Sequence, residues 1–131
     1  MTEPEATPTG TTTSGDSLTA YGAAWLEPDE HRRRALLETA WAEQAVYCDP
    51  LDLVTGREAL SAHIAATQAS LAGGRVAVTN EPVRHHDSAF FRWAVQDAAG
   101  ATVLTGWDVV QLDESGRIAR LTGFFDQDTA P

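Results

Sequence analysis

The stretch from Arg75 to Asp126 constrains the fold most, because nearly all of it has strand-forming composition and alternation. Two tight turns break it, Ala98-Ala99-Gly100 and Asp113-Glu114-Ser115-Gly116. The turns predict strands over Ser88 to Asp97, Ala101 to Leu112 and Arg117 to Asp126. Arg75 to about Asp87 reads as one long or broken strand, with Pro82 marking an edge or bulge. Hairpin-linked strands of this kind form an antiparallel meander.

Alternation also says which side of each strand faces inward. In the strand from Ala101, Leu104, Gly106, Asp108, Val110 and Leu112 share one face, apolar apart from a single carboxylate. In the strand before it, Phe91, Trp93 and Val95 share a face. In the last strand, Leu121, Gly123 and Phe125 do so. Gly106 and Gly123 mark places where such a sheet bends strongly.

The N-terminal half has helical spacing instead. Asp16 or Ser17 suits a helix cap, followed by Leu18, Tyr21, Gly22 and Trp25. Pro28 fits the first turn of a second helix, with Asp29 and Glu30 at its positive end. Its stripe carries Arg33, Leu36, Leu37, Ala40 and Trp41, with Arg33 expected at the edge. Ala45 to Asp49 reads as a short strand ending at Pro50. Thr55 and Glu58 match a capping box that opens a third helix carrying Leu60, Ile64, Thr67 and Leu71, and Gly73-Gly74 closes it. Three helices followed by a meander give an α+β domain, and a strongly curved sheet wrapped over those helices encloses an apolar cavity. The expected division is a polar tail over 1–16, one domain over 17–128 and a short end at 129–131.

Composition narrows the function classes. Nine basic residues, all arginine, stand against 19 acidic ones, for a formal charge of -10. Such a chain is a poor binder of nucleic acid and of anionic membrane. No apolar run is long enough to span a bilayer, and the N-terminus lacks a signal peptide's pattern, so a soluble cytoplasmic protein is expected. The single Cys48 excludes an internal disulfide and a cysteine-cluster metal site. No His and carboxylate pair has helical ligand spacing, so neither metal nor cofactor is expected. The run Arg32-Arg33-Arg34 reads as a solvated helix face.

Two carboxylates stand out. Asp108 points into the expected cavity, where an ionised carboxylate must find a donor, reach water or keep its proton. It orders the core by accepting a bond from an indole or backbone N–H, or it takes part in chemistry. Asp49 ends the short strand, with Tyr47 two residues earlier on the same face. Asp-Pro is also an ordinary turn starter. Trp25, Trp41, Trp93 and Phe125 are candidates to line a pocket for a flat apolar molecule. His63 is a polar contact or second base, or a half-buried histidine bonded to backbone. Of the neighbours His85 and His86, one could enter the cavity. Phe90, Trp107, Val109 and Phe124 put apolar surface on the sheet's other face, which points to a homodimer interface.

Several segments carry a resemblance: A-x-x-x-D-P (Ala45 to Pro50), G-R-E (Gly56 to Glu58), P-V-R (Pro82 to Arg84), F-R (Phe91, Arg92) and W-D-V-V-Q-L-D-E-S-G-R-I (Trp107 to Ile118). In order and spacing the chain resembles the nuclear transport factor two-like, or SnoaL-like, cone-fold superfamily, and within it the ketosteroid isomerases. The resemblance implies Asp49 as general base and Asp108 as a protonated acid donating to an oxyanion; that family is a standard example of a neutral carboxylic acid in an apolar site. Alternation puts Tyr47, Phe91 and Val110 on inward faces as pocket candidates, and His63 precedes Ile64, where the isomerases have an apolar pocket residue. The sequence departs from that family where the isomerases carry tyrosines. Trp25, or Tyr21 one turn away, stands for the first, and Trp41 and Ile64 for the others. The expected function is cofactor-free proton transfer on an apolar carbonyl compound, by isomerisation or polyketide-type cyclisation. A non-catalytic ligand-binding or dimerisation module is the alternative. Epoxide hydrolysis, found in another branch, ranks lower because Arg92 faces outward and Ala94 stands where an acid is wanted.

Overall fold

The computed structural model describes residues 14–126, so positions 1–13 of the tail expected over 1–16, and everything from 127 onward, lie outside the described residues, while 14–16 belong to the first helix. The order is α1 (Ser14–Leu26), α2 (Glu30–Ala40), β1 (Trp41–Cys48), β2 (Leu53–Thr55), α3 (Arg57–Ser70), β3 (Arg75–Val78), β4 (Val83–His85), β5 (Ser88–Gln96), β6 (Thr102–Leu112) and β7 (Ile118–Phe125). Three helices pack on a strongly curled mixed sheet, an α+β cone. Its strands run β2-β1-β7-β6-β5-β3, with β4 also paired to β5. All neighbours are antiparallel except β1 and β7. That parallel pair ties the helical half to the meander.

Helix α1 starts at Ser14, earlier than the expected cap. Asp16 thus falls in its first turn, and Ser17 is buried, its hydroxyl donating to the Gly116 carbonyl. At α2 the cap is Asp29, whose carboxylate accepts from the Arg32 N–H at 2.9 Å, and Pro28 stands one residue before it. Arg33 is not at an edge: it is only 3% exposed. Its Nε donates to Ser61 Oγ at 3.0 Å and its Nη1 to the Glu27 carbonyl at 2.9 Å. The guanidinium thereby satisfies the carbonyl that follows α1 and clamps α2 to α3, so the basic run is solvated only at Arg32 and Arg34.

Trp41 belongs to β1 rather than to the helical stripe. The capping box does not form. Thr55 ends β2, a strand too short and exposed to show alternation, and Gly56 caps α3 with φ 93° and no side-chain bond. The stretch from Arg75, expected as one long or broken strand, is broken, with Pro82 in the gap, and both pieces pair with β5.

Burial follows the alternation. Ala89, Phe91, Trp93 and Val95 of β5 and Gly106, Asp108, Val110 and Leu112 of β6 face inward. Leu37, Trp41, Leu60, Ile64, Val110, Ile118 and Leu121 form the tightest part of the core. On the outer face, Trp107 stacks on Phe124 with centroids 4.9 Å apart, and Phe90 meets Trp107 edge-on at 6.3 Å. Phe90 and Phe124 are 38% and 41% exposed, while Trp107 and Val109 are half-buried.

Candidate active site

Between the helices and the concave face of the sheet lies a cavity of about 420 Å³, within the usual range for small-molecule sites. Asp49 and Asp108 both line it.

Asp108 comes from the middle of β6, paired across to Phe91 on one side and Gly123 on the other. It is 6% exposed. Its Oδ1 accepts from the Trp93 indole Nε1 at 3.1 Å, and no partner holds its other oxygen among the described residues. Gly106 makes that bond possible. A Cβ there would stand 2.3 Å from the Trp93 ring and 2.1 Å from the Phe124 carbonyl oxygen, so only a glycine lets the indole lie across β6. Burial pushes the Asp108 carboxyl up to about 7, against the pull of the Trp93 bond, and the charge of Asp49 adds to the rise.

Asp49 follows the last residue of β1 and is half-buried. Its Oδ1 accepts from the backbone N–H groups of Leu51 and Asp52, both at 2.9 Å, and its Oδ2 accepts from the Tyr47 hydroxyl at 2.6 Å. It is thus a turn-forming aspartate and a cavity carboxylate at once. A Cβ on Gly123 would lie 2.9 Å from Asp108 Oδ1 and 3.4 Å from Asp49 Cβ. The bare glycine leaves the space that the two side chains share.

Tyr21 lines the same cavity from α1 and stacks on Trp41 at 5.8 Å. Burial, then the nearby charge of Asp108, holds its hydroxyl well above the ordinary range. Tyr47 is also pushed up, by burial and by its bond to Asp49. Both phenols are therefore neutral hydrogen-bond donors at physiological pH.

Of the expected pocket residues, Trp25, Tyr47, His63, Phe91, Trp93 and Phe125 line the cavity. Trp41, Ile64 and Val110 do not. They are fully buried in the core, because the helices press against the sheet there. The Trp41 indole N–H finds no partner among the described residues. His85 and His86 are exposed at the β4–β5 turn, their Nδ1 atoms 3.1 Å apart, and neither enters the cavity. The left-handed backbone of His86, φ 54°, turns the pair away from the simple alternation expected of them. Arg92 lies outside and pairs with Asp126 at 3.4 Å.

His63 makes no backbone bond through its ring among the described residues. It packs between Tyr47, at 5.0 Å, and Trp25, at 5.9 Å. Asp52 escaped notice in the sequence, although its place three residues after Asp49 puts both on one turn. Ligand atoms of Asp49, Asp52 and His63 lie within 4.8 Å of one another, a grouping of turn and helix that helical spacing could not reveal. No helix among the described residues is long and apolar enough to cross a membrane.

No family model matches the chain, and no curated protein does. Solved structures do. A provisionally assigned isomerase of the SnoaL-like family from Agrobacterium tumefaciens is 37% identical, over 86% of this chain and 98% of that one, with a TM-score of 0.78. A provisionally assigned polyketide cyclase from Sinorhizobium meliloti is 24% identical over 82% and 93%, with a TM-score of 0.64. An NTF2-like protein of unknown function from Cytophaga hutchinsonii has the same fold at 14% identity, over 90% and 94%, with a TM-score of 0.64.

Proposed function

Because the chain belongs to the SnoaL-like family, we propose that it is a cofactor-independent enzyme that transfers a proton on an apolar carbonyl compound, of the isomerase or polyketide-cyclase type. The observation that carries this reading is Asp108: a carboxyl able to hold its proton near neutral pH, in an apolar cavity that it shares with Asp49.

In this mechanism Asp49 takes the proton from the carbon beside the carbonyl. The electron pair moves onto the carbonyl oxygen, which accepts a hydrogen bond from protonated Asp108. With Oδ1 engaged by Trp93, the proton of Asp108 sits on Oδ2, facing the ligand. Tyr21 offers a second neutral O–H in the same cavity. The enolate then recovers the proton from Asp49 at another carbon, which is isomerisation, or attacks a second carbonyl and closes a ring, the new alkoxide taking the proton from Asp49. Phe91, Trp93, Phe125 and Trp25 supply flat apolar walls that exclude water and strengthen these interactions. The enzyme works in the cytoplasm as a homodimer joined through Phe90, Trp107, Val109 and Phe124.

A second reading, a binding module without chemistry, is favoured by the three donors on Asp49, which account for its position structurally. Deuterium wash-in to an enolisable aryl ketone in heavy water separates the two. The wild type is expected to exchange the α-proton. Asp49→Asn should lower the rate by about 10²–10⁴, and Asp108→Asn by about 10²–10³. Equal rates in all three proteins would leave the binding module standing.

A further inference from the structure

The cavity's lining is rich in acids and holds one basic side chain, His63. Asp49, Asp52 and Asp108 contribute carboxyl groups, and none of the nine arginines lines it. Asp108, almost wholly buried, lines this space, and its second oxygen has no hydrogen-bond partner among the described residues. Asp52 is an exposed member of the lining, as are Leu51 (77% exposed) and Val103. The rings of Trp25, Tyr47 and His63 cluster around Asp49 and Asp52. The backbone N–H groups at this turn that would otherwise greet an anion, those of Leu51 and Asp52, are already spent on Asp49.

An anionic ligand would have to pass the Asp49 and Asp52 carboxylates in a low-dielectric opening with no arginine to meet it. A neutral ligand faces no such barrier. An ammonium group gains from both the carboxylates and the aromatic faces. We propose that the cavity selects by charge: it admits flat aromatic compounds that are neutral or carry a protonated amine, and rejects those that carry a carboxylate or a phosphate. The proposal rests on the reading that this cavity is the ligand site, and it makes Asp52 a specificity determinant.

Three naphthalenes test it by fluorescence titration of the full chain at low salt: naphthol, naphthoate and naphthylmethylamine. Naphthoate should bind roughly tenfold or more weakly than naphthol, and the amine at least as tightly as naphthol. Asp52→Asn should narrow that spread, strengthening naphthoate and weakening the amine. Raising the salt to about 0.5 M should compress it as well. Naphthoate binding as tightly as naphthol overturns the proposal, as does a spread unchanged by Asp52→Asn. If naphthol binds without any charge preference, charge selection fails alone. If naphthol does not bind, the ligand-site reading fails and the proposal falls with it.

Discussion

Asp108 has two oxygens with different surroundings, and the proposed chemistry depends on that difference. One oxygen is held by Trp93, and the other has no hydrogen-bond partner among the described residues. In the folded chain burial pushes the Asp108 carboxyl up to about 7, against 3.8 for an ordinary aspartate. Between those values the folded state binds more protons than the unfolded one. The stability contributed is therefore complete below the lower value and is lost as pH rises through the upper one. Above it, the fold must bury a charge. Asp108→Asn should accordingly raise the thermal midpoint relative to wild type at about pH 8, by up to roughly 4 kcal/mol of stability, and much less at about pH 4. Parallel melting curves across that range check it; a gain independent of pH would mean that Asp108 titrates normally. At this scale the inward direction of Asp108 was legible from alternation alone. Its donor was not identifiable: the choice of the Trp93 indole over a backbone N–H depends on the contact across β5 and β6. Asp49 was legible both as a turn starter and as a cavity acid, and it is both.

The elements place these groups through two glycines with opposite demands. Gly106 is crossed by the Trp93 ring and by the backbone of β7, and the Phe124 carbonyl cannot move without disturbing the strand. Gly106→Ala should cost about 3 kcal/mol or more. At Gly123 an added methyl would have only side-chain atoms within 3.4 Å, the nearest being Asp108 Oδ1. Gly123→Ala should therefore fold with a smaller loss, while the added methyl displaces Asp108 from Trp93 and reduces both ligand affinity and proton transfer. Chemical denaturation beside ligand titration of the two variants distinguishes the cases; equal losses of stability would refute the difference in what surrounds them. The long strands and α3 were readable because their periods persist over two or more turns or pleats. β2 was not, being three residues long and mostly exposed. The capping box misled because T-x-x-E is a local pattern, whereas Thr55 is claimed by its strand partner Val46 in β1.

Across the whole molecule, the concave face of the sheet holds the cavity and the convex face carries the Phe90–Trp107–Phe124 cluster. Pairing two convex faces would cover those rings and leave both cavity mouths open. Sedimentation of the full chain should show a dimer, and Phe90→Asp combined with Phe124→Asp should yield a folded monomer. A wild-type monomer at micromolar concentration would remove the proposed interface. The α+β class, the order of the long elements and the inward set on β5 and β6 followed from the sequence, because a side chain's facing within a regular element is set by local backbone period. The tertiary structure alone decided that Trp41, Ile64 and Val110 fill the core while Tyr21 and Asp52 reach the cavity. Periodicity tells a residue that it points inward; whether it meets packed atoms or open space depends on how far the curled sheet stands from the helices, and that distance is fixed by residues remote in the chain.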